Sequence, residues 1–411
     1  MPPVKRRITY RMYPTDTQQE KLVEYQRLHA EIYNAAIQER RDAWRLRGVS
    51  ITKAVQEKQL PDIKKDRPEF KQLGGHALQE TLRRVDLAFQ AFFRRVKQGQ
   101  TPGFPRFKSW KRFKGWTYKS TSNWRLYAGK DGKHGAVELS GIGSIKLRGQ
   151  PRQLGQHKTL TVTQKQGKWY ASIVIECEPE RRGGREGLGF DWGIESFLTF
   201  DTGERVENPR FLKQSAAKLR RLQQSVSRKK RGSKRYRKAV ARLARERERV
   251  ANRRSNFLHQ QSARLVGRAA LLATETLSVK NMTRSAKGTV ERPGKNVRQK
   301  AGLNKSILDG APATFLAMVR YKAEEAGTEL VEVPTRTVKP SQTCPMCGEQ
   351  RSKPLSQRRH RCGCGCTLGR DQAAALVCLN HAFHGAGNPP CAEEGVSPPT
   401  KRETATEYAL A

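Results

Sequence analysis

Acidic residues and long apolar runs are both scarce in this sequence of 411 residues. Lys and Arg number 81 against 38 Asp and Glu, which gives a formal net charge of +43. An excess of this size indicates a polyanionic partner, and nucleic acid is the first candidate because the basic residues are spread over most of the chain. A ribosome-bound structural protein would share the charge, but such proteins are usually shorter and poorer in tryptophan.

The longest apolar runs fall short of the roughly 20 residues that a membrane-spanning helix needs. No secretory signal peptide is recognisable either. We therefore expect a cytoplasmic protein without a membrane partner. The length allows two or three domains, each with its own core.

Cysteine is also scarce, and five of the eight cysteines lie between Cys344 and Cys366. This clustering, in a chain without a secretion signal, is typical of metal ligation and not of a disulfide framework. Cys344 and Cys347 form a C-x-x-C pair, whereas Cys362, Cys364 and Cys366 offer three thiolates for two positions. Because "CG" occurs in both halves, we predict one structural zinc bound by Cys344, Cys347, Cys362 and Cys364, with Cys366 as the substitute ligand.

The apolar pattern of the first half predicts a strand, a helical segment and a set of short strands. Apolar and polar residues alternate in residues 1–15, as in a strand, and apolar residues recur at helical spacing in residues 16–98. Residues 99–180 predict a small β-barrel that the first strand closes. Thr17 and Glu20 form a capping-box pattern at the start of the first helix.

The segment that opens the predicted barrel interleaves aromatic rings with Lys and Arg. Such rings can stack on bases while cations such as Arg106 and Lys108 contact phosphates. The alternative is that the rings fill the barrel core, and we expect each account to hold for some of them. The rings are Phe104, Phe107, Trp110, Phe113, Trp116 and Tyr118.

The second half contains a strongly basic stretch. Residues 210–254 hold nineteen Lys or Arg and two Glu, and the leucine spacing predicts a basic helical hairpin over residues 210–258. A solvated surface is the alternative, but one-sided charge of this density favours binding along a nucleic-acid backbone. The candidate contacts at the turn are Arg228, Lys229, Lys230, Arg231, Lys234 and Arg235. The composition of residues 386–411 predicts a disordered tail.

Three acids occupy positions where a carboxylate can do chemistry. Asp191 closes the strand "GLGFDWG", Glu275 ends the buried run "ALLATE", and Asp371 opens the helix "RDQAAALVCLNHAF". Taken singly, they have ordinary interpretations as a turn cap, an exposed strand end and a helix N-terminal acid. An RNase H-like sheet, however, places acids from these elements together to hold two Mg²⁺ ions for phosphodiester hydrolysis. We predict that the three acids are catalytic and bind Mg²⁺.

Six motifs make the chain resemble the TnpB family, the RNA-guided DNA nucleases that insertion sequences encode and that are related to type V CRISPR effectors. They are "YNAAI", "LQETL" with "AFQAFF", "GFPRFK", "GFDWGI", "TETLSVKNM" and "PSQTCPMCG". The likeness runs from about residue 6 to residue 384.

The resemblance implies a multidomain α+β and α/β fold. Its parts would be a wedge-type β-barrel (1–15 and 99–180), a helical recognition domain (16–98), an RNase H-like RuvC nuclease domain (184–341 and 367–385) and a zinc-binding insertion (342–366). It also implies that Asp191, Glu275 and Asp371 take the places of the three catalytic acids.

The partners that the resemblance implies are a guide RNA from the element's end and target double-stranded DNA, with one protein per guide RNA. The protein would act in a prokaryotic cytoplasm, at the nucleoid when on target. It would cut both DNA strands beside a short flanking motif while guide pairing reads the sequence. Gln79, Thr121 and Ser122 fall near the positions that contact this motif.

The last motif departs from the family pattern of Asp-Arg-Asp, any residue, Asn-Ala-Ala. Gly369 stands for the first Asp and Ala373 for the Asn. Groups around a metal ligand orient it, so reduced activity is one consequence to test. The alternative function is guide-directed DNA binding without cleavage, as in a repressor, but the retention of all three acids argues against it. A strand-joining transposase would share the fold and is disfavoured because the chain resembles a guide-RNA binder throughout.

Overall fold

The computed structural model describes residues 3–151, 153–354 and 356–384. The tail predicted at 386–411 therefore lies outside the described residues. The chain divides into two compact units, Met1–Pro179 and Glu180–Ala411. Among the described helices, none has an apolar stretch of the length that crossing a bilayer requires.

The first unit contains a seven-stranded antiparallel sheet in the order β2-β6-β7-β1-β5-β4-β3. The first strand of the chain lies in its interior, between β7 and β5. The strands are β1 (Val4–Tyr13), β2 (Gly115–Tyr118), β3 (Trp124–Tyr127), β4 (Ala136–Leu139), β5 (Gly143–Arg148), β6 (Gln156–Lys165) and β7 (Lys168–Cys177).

Helices follow the first strand. They are α1 (Asp16–Arg47), α2 (Lys53–Lys58), α3 (Leu60–Asp66) and α4 (Gly75–Lys97), with 3-10 turns at Pro68–Leu73, Thr121–Asn123 and Lys130–Gly132. Leu22 and Tyr25 of α1, and Leu78 and Val85 of α4, are buried in one core with Trp116 of the sheet.

The capping box of the first helix lies two residues before the predicted one. Thr15 Oγ1 accepts a hydrogen bond from Gln18 N at 3.3 Å, and Gln18 Oε1 accepts one from Thr15 N at 3.1 Å. Thr15 has extended backbone angles, as a cap requires, whereas Thr17 already lies inside the first turn. The prediction of Thr17 and Glu20 as the capping pair was wrong for this reason.

The second unit contains a five-stranded mixed sheet in the order β10-β9-β8-β11-β12. The strands are β8 (Glu186–Trp192), β9 (Ser196–Phe200), β10 (Arg205–Glu207), β11 (Ala269–Glu275) and β12 (Glu329–Val333). Strands β10, β9 and β8 are antiparallel, whereas β8, β11 and β12 run parallel. A separate two-stranded ribbon pairs β13 (Arg359–Arg361) with β14 (Thr367–Gly369).

Eight helices accompany this sheet in the described part of the unit. They are α5 (Phe211–Gln214), α6 (Ala216–Ser227), α7 (Lys234–Arg268), α8 (Val279–Met282), α9 (Val297–Gly310), α10 (Pro312–Ala326), α11 (Thr335–Val338) and α12 (Arg370–His384). Leu188 and Phe190 of β8 pack in one core with Leu265 of α7 and Phe315 of α10. Helix α12 packs on the opposite face, where its residues Cys378 and Leu379 cluster with Ala273 of β11.

The basic stretch forms two helices, α6 and α7, joined by a turn at residues 228–233. Helix α7 runs to Arg268 instead of ending near residue 258. Its last turns are not a charged surface, since Leu258, Leu265 and Val266 are buried against the sheet.

Candidate active site and zinc site

The carboxyl ends of two parallel strands bring Asp191 and Glu275 together. Gly189 of β8 lies opposite Ala273 of β11 in the parallel ladder. Asp191 and Glu275 stand two residues further along their strands, so they end neighbouring strands on the same face. Both residues are partly buried. In open α/β sheets this edge is where ligands bind.

Helix α12 brings the third acid to the same edge. A Cβ built on Gly189 would lie 2.2 Å from Ala375 O and 3.0 Å from Leu379 Cβ, so the helix backbone crosses β8 at a distance that only glycine permits. Asp371 precedes Ala375 by four residues and Leu379 by eight, which places all three on one helix face. The face that packs on the strands therefore carries Asp371 at its N-terminal end.

The electrostatics of the three acids are coupled. Burial raises the pKa of Asp191 well above its ordinary value, and repulsion from Glu275 and Asp371 raises it further, while a hydrogen bond from the Trp192 backbone and the charge of Arg370 oppose the rise. Burial and repulsion from Asp371 likewise raise the pKa of Glu275. Clustered carboxylates with raised pKa values are typical of functional sites.

The carboxylates are gathered less tightly than the thiols of the cysteine cluster. In the described part of the chain, the groups of three or more possible ligand atoms within 4.8 Å of one another all contain cysteine. A pair of metal ions about 4 Å apart does not require every carboxylate to reach both ions. Carboxylate oxygens are the ligands that Mg²⁺ prefers, and cations would offset the mutual repulsion of these acids. The residues present thus fit a divalent metal site.

Asp371 is flanked by two residues that are tied to other segments. The Arg370 amide donates to Arg358 O at 2.9 Å, and its Nη1 donates to Pro354 O at 2.8 Å. On the other side, Gln372 Nε2 donates to Asp201 O at 3.1 Å. These bonds restrain the first turn of α12 and hence the position of the Asp371 carboxyl.

The two departures from the family motif lie next to this acid. A Cβ on Gly369 would be 3.4 Å from Arg205 Nη2, so a side chain at that position would meet a guanidinium. Ala373 is buried. An apolar methyl group therefore stands where the family pattern has an amide.

The four thiols predicted to bind zinc converge. The Sγ atoms of Cys344, Cys347, Cys362 and Cys364 all lie within 4.8 Å of one another. The Sγ atoms of Cys344 and Cys364 are 3.6 Å apart, and those of Cys347 and Cys362 are 3.4 Å apart. Four sulfur atoms about 2.3 Å from one tetrahedral zinc would be roughly 3.8 Å apart. The cluster is compatible with a structural zinc ion.

Two turns that contain glycine present these thiols. Gly348 N donates to Cys344 O at 3.0 Å, and Gly365 N donates to Cys362 O at 3.1 Å. Both glycines have positive φ, +76° and +89°, which a larger residue would adopt only with strain. A second group of Cys344, His360 and Cys366 also gathers, but His360 Nδ1 already contacts the buried Lys353 ammonium.

The zinc module is joined to the helix that carries Asp371. Strand β14 ends at Gly369 and α12 begins at Arg370 without an intervening loop. Asn380 Nδ2, further along the helix, donates to Pro345 O in the first cysteine turn at 2.9 Å. The module therefore contacts α12 near both of its ends.

The predicted nucleic-acid contacts of the hairpin lie at its turn and at the start of α7. All of them are exposed except Lys229, which is partly exposed. A cavity of about 600 Å³ lies between α6 and α7, with apolar Leu219 and Val250 beside Arg220 and Arg247. Arg220 and Arg247 were not among the contacts predicted from the sequence, where they are ordinary members of the basic run.

The candidate residues of the first unit occupy two places. Gln79 of α4 and the Thr121–Ser122 turn are all exposed, and a Cβ on Gly74, just before α4, would lie 3.1 Å from Asn123 Nδ2. The two segments are therefore neighbours.

Arg106 is exposed on the loop before the sheet. Lys108 contacts α1: its amide donates to Asn34 Oδ1 at 2.8 Å, and its Nζ lies 4.3 Å from the centre of the Tyr33 ring.

Comparison with known families places three models along the chain. One described as "Probable transposase" (OrfB_IS605) matches residues 157–286, one described as "Cas12f1-like, TNB domain" matches residues 313–378, and one described as "Helix-turn-helix domain" matches residues 1–48. In the structure, the described part of residues 1–48 forms β1 and α1.

Two solved structures share the fold. The protein of a Cas12f1–sgRNA–target DNA complex is 13% identical, with a TM-score of 0.59, over 92% of this chain and 99% of its own. The mini-RNA-guided endonuclease CRISPR-Cas_phi3 is 9% identical, with a TM-score of 0.51, over 92% of each chain. The chain thus has a mixed α+β multidomain fold similar to that of Cas12 effectors.

Curated relatives extend over most of the sequence. A protein of Streptomyces pristinaespiralis named "Putative RNA-guided DNA endonuclease" is 30% identical over 91% of this chain and 89% of its own length. InsQ of Escherichia coli K12, which carries the same description, is 32% identical over 69% of this chain and 68% of its own. With this identity and coverage, the chain belongs to the OrfB_IS605, or TnpB, family.

Proposed function

We propose that this protein is an RNA-guided, Mg²⁺-dependent DNA endonuclease of an insertion sequence. The observation that carries the proposal is the meeting of Asp191, Glu275 and Asp371 at the carboxyl edge of β8 and β11. Curated relatives named as RNA-guided DNA endonucleases support the same activity.

The architecture of the second unit supports an RNase H-like RuvC nuclease domain. Three antiparallel strands are followed by two parallel ones, and the C-terminal helix lies on the face that carries the acids. We assign residues 184–341 and 367–385 to this domain and residues 342–366 to a zinc-binding insertion. For the first unit, we assign residues 16–98 to a recognition domain and residues 1–15 and 99–180 to a wedge-type β-barrel.

The chemistry follows from the charges at the strand ends. Mg²⁺ ions bound there would lower the pKa of an attacking water and stabilise the leaving 3′ oxygen. Asp191 and Glu275 hold the strand side of the site, and Asp371 closes it from α12. Arg370 lowers the repulsion at Asp191 and anchors its neighbour Asp371 through the bonds to Arg358 and Pro354.

The partners in this proposal are one guide RNA from the element's end and target double-stranded DNA. The exposed cations at the turn of α6 and α7 would contact the nucleic-acid backbone. Gln79, Thr121 and Ser122 are exposed on neighbouring segments, where they would read the short flanking motif.

A second candidate is guide-directed DNA binding without cleavage. The observation that favours it is the altered surroundings of Asp371, where Gly369 and Ala373 replace the acid and the amide of the family pattern. Outer-shell groups of this kind typically change metal affinity or activity about 10- to 100-fold.

The test is to purify the protein with RNA expressed from its own locus and to sequence the RNA that it retains. Linear duplexes that match this guide and carry a randomised flank are then offered with Mg²⁺. Cleavage of matched duplexes with a defined flank supports the proposal, and duplexes with a scrambled target are the control. Retention of no discrete RNA would refute guidance, and binding of matched duplexes without cleavage would establish the second candidate.

A further inference from the structure

Three phenylalanine rings of the first unit form an aromatic group at the protein surface. We call Phe92 and Phe93 of α4 and Phe104 of the following loop the aromatic platform. The Phe92 ring centre lies 5.2 Å from that of Phe93 and 5.4 Å from that of Phe104. Phe93 and Phe104 are 60% and 44% exposed. Large apolar side chains grouped on a surface are typical of binding sites.

The platform rests on a packed base. Phe89 is only 8% exposed, and its ring centre lies 6.4 Å from that of Phe93 and 5.6 Å from that of Phe104. The loop is anchored further on, where Asn34 Nδ2 donates to Lys108 O at 2.9 Å and Lys108 N donates to Asn34 Oδ1. Rings held in this way can receive a planar ligand with little loss of side-chain entropy.

The positive charge around the platform favours a polyanion as its ligand. Residues 87–130 contain eleven Lys or Arg and no Asp or Glu. Arg94, Arg95 and Arg106, all exposed, flank the three rings in sequence. A second copy of the chain would bring the same cations to the contact, so self-association is opposed by like charge.

Other aromatic rings of the same segment are buried in the core, in contrast to Phe93 and Phe104. Phe113, Trp116 and Tyr118 are at most 2% exposed, and they fill the space between the helices and the sheet. Phe93 and Phe104 make no comparable contribution to the core. Their exposure, together with the surrounding positive charge, therefore favours a ligand that has apolar faces and an anionic backbone.

We propose that the aromatic platform binds unpaired bases of single-stranded RNA, which stack on Phe93 and Phe104 while Arg94, Arg95 and Arg106 contact the flanking phosphates. Bases must be unpaired to offer their faces, and stacking of this kind tolerates any sequence. The inference rests on the proposed function only in that the guide is the RNA concerned.

The experiment uses the full-length protein and three probes of equal length: oligoadenosine RNA with one 2-aminopurine, the same RNA with abasic sites at its centre, and the deoxy oligomer. Binding is measured without Mg²⁺ at several salt concentrations. For Phe93→Ala with Phe104→Ala, we expect oligoadenosine affinity to fall at least about fivefold per ring. The salt slope should not change, because no phosphate contact is lost. The 2-aminopurine quenching of the wild type should also diminish.

Two controls keep the result interpretable. Phe93→Leu with Phe104→Leu preserves apolar volume, so it should fold normally and show the same loss. Tyr127→Ala removes an exposed ring that hydrogen-bonds to Glu138, and RNA affinity should not change.

An equal loss on the abasic RNA, a loss confined to the deoxy oligomer, or a wild type that dimerises through these rings would overturn the proposal. Because neither Mg²⁺ nor target DNA is present, none of these outcomes depends on cleavage.

Discussion

Gly189 is the residue that allows the acid cluster to form. Any side chain there would collide with the α12 backbone, since its Cβ would lie 2.2 Å from Ala375 O. The missing side chain lets α12 lie directly on β8, and Asp371 then starts the helix at the level of Asp191. Close helix-to-strand packing is a common reason for glycine inside a strand.

Gly369→Asp tests whether the altered motif limits activity. Gly369 does not have positive φ, and Arg205 Nη2 lies near the new side chain, so the position accepts a carboxylate. We expect the Mg²⁺ concentration for half-maximal cleavage to fall about tenfold, which is within the range for outer-shell groups. The control is Gly302→Asp, which adds the same charge on the exposed side of α9. Unchanged Mg²⁺ dependence would mean that Asp371 does not need this neighbour.

His29 makes the stability of the first unit depend on pH. It is fully buried, stacks on Trp116 at 5.4 Å and has Nδ1 at 2.8 Å from Thr81 Oγ1. Burial, and then the charge of Arg84, lower its pKa to about 3. An unfolded histidine titrates near pH 6.5, so the unfolded state binds more protons below that pH and stability is lost as pH falls from about 6.5 towards 3.

We expect the free energy of unfolding to fall by about 1 kcal/mol per pH unit through His29 in this window. Urea unfolding followed by tryptophan fluorescence measures it, because five of the six tryptophans lie in the first unit. His29→Gln should flatten the slope between pH 6.5 and 5, while exposed His76→Gln should leave it as it is. Equal slopes for wild type and His29→Gln would contradict the buried neutral imidazole.

At the residue scale, the sequence singles out the three acids but does not predict their surroundings. Asp191 and Glu275 could be singled out because burying a carboxylate at the end of an apolar strand costs free energy unless the carboxylate is paired or binds a cation. The role of Gly189 could not, because it depends on a helix that follows far along the chain. The exposure of Phe93 could not be predicted either, because its helical spacing suits a core position and only the structure shows that the residue is exposed.

At the scale of elements, the two cysteine turns distinguish Cys364 from Cys366 as the fourth candidate zinc ligand. Only Cys364 belongs to the four-sulfur cluster. Cys364→Ser should therefore lose most of the bound zinc, whereas Cys366→Ser should keep about one ion per chain. Elemental analysis of the purified variants measures this. Loss of zinc in Cys366→Ser alone would assign the fourth position to that residue.

The basic hairpin predicts a salt dependence. Replacing Arg228, Lys229, Lys230 and Arg231 by Gln should weaken RNA binding, since each phosphate contact releases counterions. The slope of log affinity against log salt should become shallower by up to about 3, from 0.7 per contact on a single strand. Gln223→Ala with Gln224→Ala on the same hairpin is the uncharged control. An unchanged slope in the fourfold variant would leave the turn as a solvated surface.

Element boundaries were harder to predict than element types. The leucine spacing of α6 and α7 suffices to predict both helices, but the predicted hairpin ends at residue 258. The helix continues to Arg268 because Leu258, Leu265 and Val266 are needed in the core of the sheet. Tertiary packing, and not local propensity, ends this element.

At the scale of the whole molecule, composition predicts the partner and family likeness predicts the chemistry. A net charge of +43 indicates a polyanionic partner but does not show whether the protein cuts, joins or only binds it. The grouping of Asp191, Glu275 and Asp371 favours the nuclease that we propose, since a pure binder has no need to gather carboxylates. Burial and mutual repulsion raise the pKa values of Asp191 and Glu275.

The most direct measurement is the rate of Mg²⁺-dependent cleavage of a guide-matched linear duplex by the wild type and by Asp191→Ala, each loaded with the same RNA. Glu195→Gln, an exposed carboxylate just beyond β8, is the matched control. We predict cleavage by the wild type and by Glu195→Gln, and a loss in Asp191→Ala beyond the roughly 100-fold that outer-shell groups cause, with RNA binding unchanged. Binding without cleavage by the wild type, or cleavage by Asp191→Ala at the wild-type rate, would contradict the account.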